Sequence, residues 1–399
     1  MKKLVLGLCG ALAFGLAAGP ASAAIPGYGN IVNEPTYHPI SMIGDPTSIA
    51  RFGYVPAKNG YSRPNAEGTC NSPSLGVPSW TGTFKDGNST YCYQMLGNAP
   101  SKKAAGVTLT TQVYAYVLTF SNGQVFDPTA INSKCDSVSP YTRLVDSPLY
   151  NSSPIVNGKV KLGSIQYEDA QMVGEWYKFV KADKEYAVNL ADTGKPIKIN
   201  LTVPSNEGKV VSISGFCDGG IGEVDLNWLA SQISTTNWSA SQVSVVLLWD
   251  VFQTESGSCC VLGYHFSYQD STGANGVGSI TAMSNPGIFG GSGAGITDIH
   301  ATSHEFGEAI NDPFGDNTVP EWGHIGQQSG CQNNLEVGDP LTGTVYGKGA
   351  GISLGGFTYH PQELVYFSWF TQTAKPYGKY GADDVYSMSG TFTTPAKFC

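Results

Sequence analysis

The run Ser303-His304-Glu305-Phe306-Gly307-Glu308-Ala309-Ile310-Asn311-Asp312-Pro313 constrains this chain more than any other stretch. Its spacing predicts a helix from roughly Asp298 to Asn311, stopped by Pro313, whose ring cannot continue one. On a helix, residues four apart share a face. His304 and Glu308 would then point the same way and could grip one metal ion. Glu305, one residue on, would lean over that ion as a general base. Phe306, Ala309 and Ile310 supply an apolar side for burial. The plain alternative is a solvated Glu-x-x-Glu face with His304 as a hydrogen-bonded core residue, and the short motif alone would favour it.

Two ligands do not make a site, and a third should follow the helix after a loop. Asn334-Leu335-Glu336-Val337-Gly338-Asp339-Pro340 offers two carboxylates three residues apart. The ligand set read from the sequence is His304, Glu308 and Glu336, with Asp339 as alternative ligand or as support for the others. The motif is one residue away from the His-Glu-x-x-His of zinc hydrolases, with Glu at 308. One imidazole with two carboxylates suits zinc, and Fe(II) or Mn(II) as well. The extra carboxylate neutralises more of the ion's charge, so a bound water should be less acidic and hydrolysis slower.

The N-terminus reads as an export leader. Lys2 and Lys3 precede an apolar stretch, and Ala21-Ser22-Ala23 offers a small-residue cleavage site, so residues 1–23 are expected to be removed. The stretch is too short and too rich in Gly and Ala for a transmembrane helix, and no later segment is long enough. The formal charge is −9, and losing the leader's two lysines makes it more negative. That argues against nucleic acid and anionic membrane as partners. Of the nine cysteines, Cys9 goes with the leader. The remaining eight, Cys70, Cys92, Cys135, Cys217, Cys259, Cys260, Cys331 and Cys399, suit up to four disulfides in an exported chain. Cys70 with Cys92 is the expected local pair.

Texture changes near Gln166, and the chain is divided at residue 155. Residues 24–154 read as a β-rich, loop-rich region that contains one strongly alternating strand, Thr108–Phe120. Beyond it, Tyr167–Val180 and Ile221–Ile233 carry helical spacing, and Glu185–Leu190, Ile197–Val203 and Cys260–Tyr268 read as strands. Ser244–Phe252 is an apolar run expected to form a central buried strand. Gly287–Gly295 reads as a flexible loop ahead of the motif helix, and His360–Thr371 as a last helix with an aromatic face. Asp192-Thr193-Gly194 has no second such triplet to share a proton and is not an aspartic-protease site. His265, in mid-strand, reads as a core or supporting residue, and His324 and His360 as structural.

The motif run, Glu321-Trp322-Gly323, and Glu336-Val337-Gly338-Asp339 together resemble the signature of the EXORDIUM-like (phosphate-induced) secreted proteins and their bacterial relatives. His304, Glu305, Glu308, Asp312 and Pro313 match its first block, Trp322 the middle, and Glu336 and Asp339 the last. Leu341 stands where that pattern has Cys. The resemblance implies a zincin-like α+β domain over 155–399 with a metal site, and it implies no particular substrate. The expectation is a secreted, disulfide-bonded monomer. Its function would be zinc-dependent hydrolysis of peptide bonds, with a peptide or cell-surface polymer as substrate. The rival is a non-catalytic exported protein that binds cell-wall or surface polysaccharide on a degenerate form of that fold.

Overall fold

The strand Val107–Thr119 (β1) sets the architecture, because its side chains alternate between two apolar environments. Leu109 and Val113 enter one core, and Tyr114, Tyr116 and Leu118 enter another on the opposite face. A strand buried on both faces must be central to a layered structure. The computed structural model describes residues 73–101, 104–157, 160–180, 186–213, 216–255, 257–284, 298–323, 331–342, 351–371, 386–388, 392–394 and 396–398, besides the short strands Thr36–His38 and Ala50–Phe52.

Around β1 lie Val188–Asp192 (β2), Ile197–Thr202 (β3), Val243–Trp249 (β4), Gly263–Gln269 (β5) and Asn275–Met283 (β6). The sheet runs β3-β1-β4-β6-β5, with β2 and the two-residue strand Val125–Phe126 also on β1. Pairings among β1, β2, β3, β4 and β6 are parallel, whereas the edge strand β5 is antiparallel to β6. The region before residue 155 therefore extends the sheet of the later part, since β1 lies beside β4. The chain is α+β, mostly strand with few helices. Among the described residues no helix is long and apolar enough to cross a membrane.

The first core holds Ala170, Met172 and Val173 of Tyr167–Glu175 (α1) and Phe306, Ala309 and Ile310 of His300–Asn311 (α3). The second holds Leu226, Leu229 and Ile233 of Leu226–Ile233 (α2). Asp225 caps α2 by accepting from the Trp228 N–H at 3.0 Å. Tyr264, Phe266 and Tyr268 of β5 fill the second core. Gly263 and His265, alternating with them, consequently face α3.

Several elements differ from the sequence reading. Ile221–Ile233 is half strand, Gly220–Asp225, before it becomes α2. Ser244–Phe252 breaks after Trp249, because Asp250 takes a left-handed φ of 49°, and the chain resumes as Val251–Glu255 in a second sheet. Cys260–Tyr268 is likewise two strands, Ser258–Val261 and β5. Of His360–Thr371 only Phe367–Phe370 is helical. Tyr167–Val180 is helical with a break at Trp176. Cys135 and Cys217 form a disulfide with Cα atoms 5.0 Å apart, and Cys259 pairs with its neighbour Cys260. Cys92 is disulfide-bonded, but the expected partner Cys70 lies outside the described residues. The leader, Gly287–Gly295 and His324 lie outside them too.

Candidate metal centre

Every residue of α3 is buried, including His300, His304, Glu305, Glu308 and Asn311. An ionisable group in such a place is costly unless it is paired or holds a cation. The helix ends where Asp312 turns its carboxylate to the Asp316 and Asn317 N–H groups, each donating at 3.0 Å. Asn317 in turn donates to the Asn311 carbonyl at 2.6 Å and to the Gln94 carbonyl at 2.7 Å, which ties the helix end to the strand Ser89–Leu96. This fixes the depth and rotation of α3 against β5 and β6.

Two groups of donor atoms meet at Glu308. On one side, His304 Nε2 lies 2.9 Å from Glu308 Oε1 and 3.6 Å from Asp339 Oδ1. The Gly338 N–H also donates to Glu308 Oε1, at 3.1 Å. On the other side, His265 Nδ1 lies 3.6 Å from Glu308 Oε2 and 3.9 Å from both Glu305 Oε2 and Glu336 Oε2. Within each of the sets His304–Glu308–Asp339 and His265–Glu305–Glu308, the donor atoms lie within 4.8 Å of one another. None of these residues is more than 5% exposed.

The supports of His304 are specific. Gln362 Nε2 donates to the Gly338 carbonyl at 2.6 Å and to Thr342 Oγ1 at 2.7 Å. That leaves Gln362 Oε1 as the acceptor facing His304 Nδ1 at 2.9 Å. Nδ1 must therefore carry the hydrogen, and Nε2 is the atom aimed at Glu308 and Asp339. Orientation of a ligating imidazole through its other nitrogen is usual in metal sites. Glu336 is held similarly, its Oε1 accepting from Asn334 Nδ2 at 2.6 Å. Two glycines allow the close approach. A Cβ on Gly338 would come within 2.5 Å of the His304 ring, and one on Gly263 within 2.7 Å of Glu305 Oε1.

Four carboxylates cannot all be ionised so close together, since two unit charges 4 Å apart repel by about 4 kcal/mol at an effective dielectric of about 20. Burial pushes Glu305 well above the usual carboxylate range; His304 opposes the shift, and the Glu308 and Asp339 charges add to it. Burial also raises Glu336, reinforced by Glu308, Asp312 and Asp339. Glu308 goes the other way. Burial alone would raise it, but His304 and His265 hold it far below its ordinary value. His304 is pushed up to about 10: burial opposes its charge, and the Glu308 carboxylate more than offsets that. Without a cation, protons on His304, Glu305 and Glu336 offset part of the cluster's negative charge.

The donor chemistry fits a divalent metal ion. Oxygen and imidazole donors converge, and Glu305 Oε2, Glu308 Oε2 and Glu336 Oε2 are buried with no hydrogen-bond partner among the described residues. Of the residues selected from sequence, His304, Glu308 and Asp339 come together, while Glu336 and Glu305 lie on the His265 side of Glu308. His265 is not among the ligands read from the sequence. The available signal was the alternation of Gly263-Tyr264-His265-Phe266, which puts the histidine on the face away from the aromatic residues. His360 stands apart, bonded to Asp298 at 2.8 Å. No protein-family model matches the chain, and no curated protein or solved structure matches it either.

Proposed function

We propose that this is an exported, metal-dependent hydrolase on a zincin-like scaffold, acting on peptide bonds. The observation that carries the reading is Glu308, fully buried, with one oxygen against His304 and the other turned to the His265 group of donors. His304, Glu308 and Asp339 would hold zinc, and the same donors suit Fe(II) or Mn(II). The cation would supply Lewis acidity, polarising a carbonyl and bringing the pKa of water toward neutrality. Glu305 is the proton acceptor in this reading. A positive charge nearby would favour its ionised form, and its burial would return the proton readily to a leaving amine. Gln362 and Thr342 keep the His304 ring aimed, and Asn334 keeps Glu336 in place. The resemblance of the helix and of residues 336–339 to the phosphate-induced secreted family supports the same scaffold. The Cys135–Cys217 disulfide is compatible with export behind the leader at 1–23.

A second reading is favoured by one observation. The most exposed of the six donor residues is only 5% accessible, and closed sites are typical of structural metals. In that reading the chain is a non-catalytic exported binding protein, and the ion stabilises its core. Wild type and Glu305→Gln should be loaded with zinc and compared on a peptide library. The hydrolase reading expects cleavage by wild type and a loss of at least 100-fold in the variant, the usual scale of general-base effects. Metal-loaded wild type without cleavage would leave the binding protein, and equal cleavage by both would remove Glu305 from its role.

A further inference from the structure

We infer that Glu308 bridges two cation positions, the second one built from His265, Glu305 and Glu336. The inference rests on the metal-centre part of the reading above and does not require hydrolysis; with the second position filled, Glu305 is a ligand and not the proton acceptor. Glu308 presents its two oxygens to different partners. Oε1 faces His304 and the Gly338 N–H, and Oε2 faces His265 Nδ1. Around His265 Nδ1, three carboxylate oxygens stand at 3.6, 3.9 and 3.9 Å. All three belong to side chains that are 3% exposed or less, and among the described residues no hydrogen-bond donor lies within bonding distance of these three oxygens. Donors about 2.0–2.2 Å from a common ion in a tetrahedron lie roughly 3.3–3.6 Å from each other, close to what is seen here.

Charge leads to the same conclusion. Glu305, Glu308, Glu336 and Asp339 carry up to four negative charges in a buried space, and the two imidazoles are neutral when they act as ligands. One divalent ion leaves two of those charges uncompensated in a buried space. Two divalent ions balance all four. A donor set of carboxylates with one imidazole at each position is hard enough for Mn(II) or Fe(II) as well as zinc. The close approach at Gly263, where a Cβ would press on Glu305, keeps room for that carboxylate beside the edge strand.

The test uses the full chain after export processing, stripped with a chelator and dialysed against Mn(II). Metal content is measured by mass spectrometry, and the electron paramagnetic resonance spectrum is recorded at low temperature. The inference expects two Mn(II) per chain and a spectrum of two exchange-coupled ions, a result that needs no variant. His265→Ala and the isosteric Glu336→Gln should each keep one Mn(II) and show an uncoupled six-line spectrum, with far-UV circular dichroism unchanged. One Mn(II) in wild type that survives His265→Ala and is lost in His304→Ala overturns the second position and leaves the first intact. Two ions without coupling, unaffected by either variant, overturn it too. No bound Mn(II) and no bound zinc in wild type would bring down the metal-centre reading itself.

Discussion

Replacing Gly338 by Ala should loosen the centre without touching a single ligand. Gly338 has φ −83° and ψ −37°, a helical conformation open to any L-residue, so backbone strain does not enter. At such a position Gly→Ala would ordinarily stabilise by about 0.4–1 kcal/mol through the unfolded state. Here the new methyl would lie 2.5 Å from His304 Nδ1 and 2.6 Å from Cγ and Cε1. Ordinary contact between such atoms is about 3.5 Å, so the ring must retreat by roughly 1 Å. It has little room, because Nδ1 is bonded to Gln362 at 2.9 Å and Nε2 is 2.9 Å from Glu308. Overpacking of this kind costs about 1–3 kcal/mol, and disturbing the support of a ligand typically lowers metal affinity by about 10–100-fold. Urea unfolding of the metal-free protein and zinc titration of the folded protein read the two effects separately. A variant more stable than wild type, with zinc affinity unchanged, would refute the close packing of residue 338 on His304.

Two further outcomes concern the scaffold. Asp169 on α1 is buried and raised to about 7 by desolvation, which the Val188 N–H at 3.1 Å only partly offsets. Because the folded state holds this proton more tightly than the unfolded state, its contribution is full below the unfolded value of 3.8 and lost as pH rises through about 7. Asp169→Asn keeps the acceptor oxygen and should be more stable than wild type at pH 8, by at most about 4 kcal/mol, with no advantage at pH 4; urea midpoints at both pH values check this. The Cys135–Cys217 disulfide closes a sequence separation of 82 residues, so the double Cys→Ser variant should lose about 2–5 kcal/mol in the same assay.

The parts of the fold legible in the sequence are those where one physical pattern dominates. β1 alternates cleanly, α3 has a polar face, an apolar face and a proline stop, and the apolar run around Val243–Trp249 does occupy the middle of the sheet. β6 is not legible, because Asn275–Met283 carries Gly276, Gly278 and Ser279, which weaken a strand signal. Those small residues lie where Tyr268 and Phe266 of β5 crowd against Gly276 and Gly278. The strand at Gly220–Asp225 was hidden because helical spacing from Leu226 onward extends back through Ile221 by coincidence. The aromatic run at 360–371 reads as a helix face, but Pro361 and the bonds of Gln362 to Gly338 and Thr342 draw the chain into an extended path beside the metal centre.

The centre itself was half legible. Helix periodicity joins His304 to Glu308 directly, because the contact is local. The choice between Glu336 and Asp339 depends on the 3₁₀ turn Asp339–Leu341, which turns Asp339 toward His304 and leaves Glu336 on the far side of Glu308. His265 comes from an antiparallel edge strand 39 residues before His304 in sequence, and only pairing with β6 brings it under α3. No local pattern encodes such a contact.

Calorimetric titration of zinc into the chelator-stripped protein, wild type against Glu308→Gln, tests the central claim most directly. Glu308 belongs to both donor groups, and the substitution keeps its shape while removing its charge. Wild type should bind zinc with proton release, seen as a binding enthalpy that varies with the ionisation enthalpy of the buffer, because the cation displaces protons held by His304, Glu305 and Glu336. Glu308→Gln should stay folded and bind at least 100-fold more weakly. Equal zinc affinity in the two proteins, or binding without proton release, would contradict a metal centre organised around Glu308.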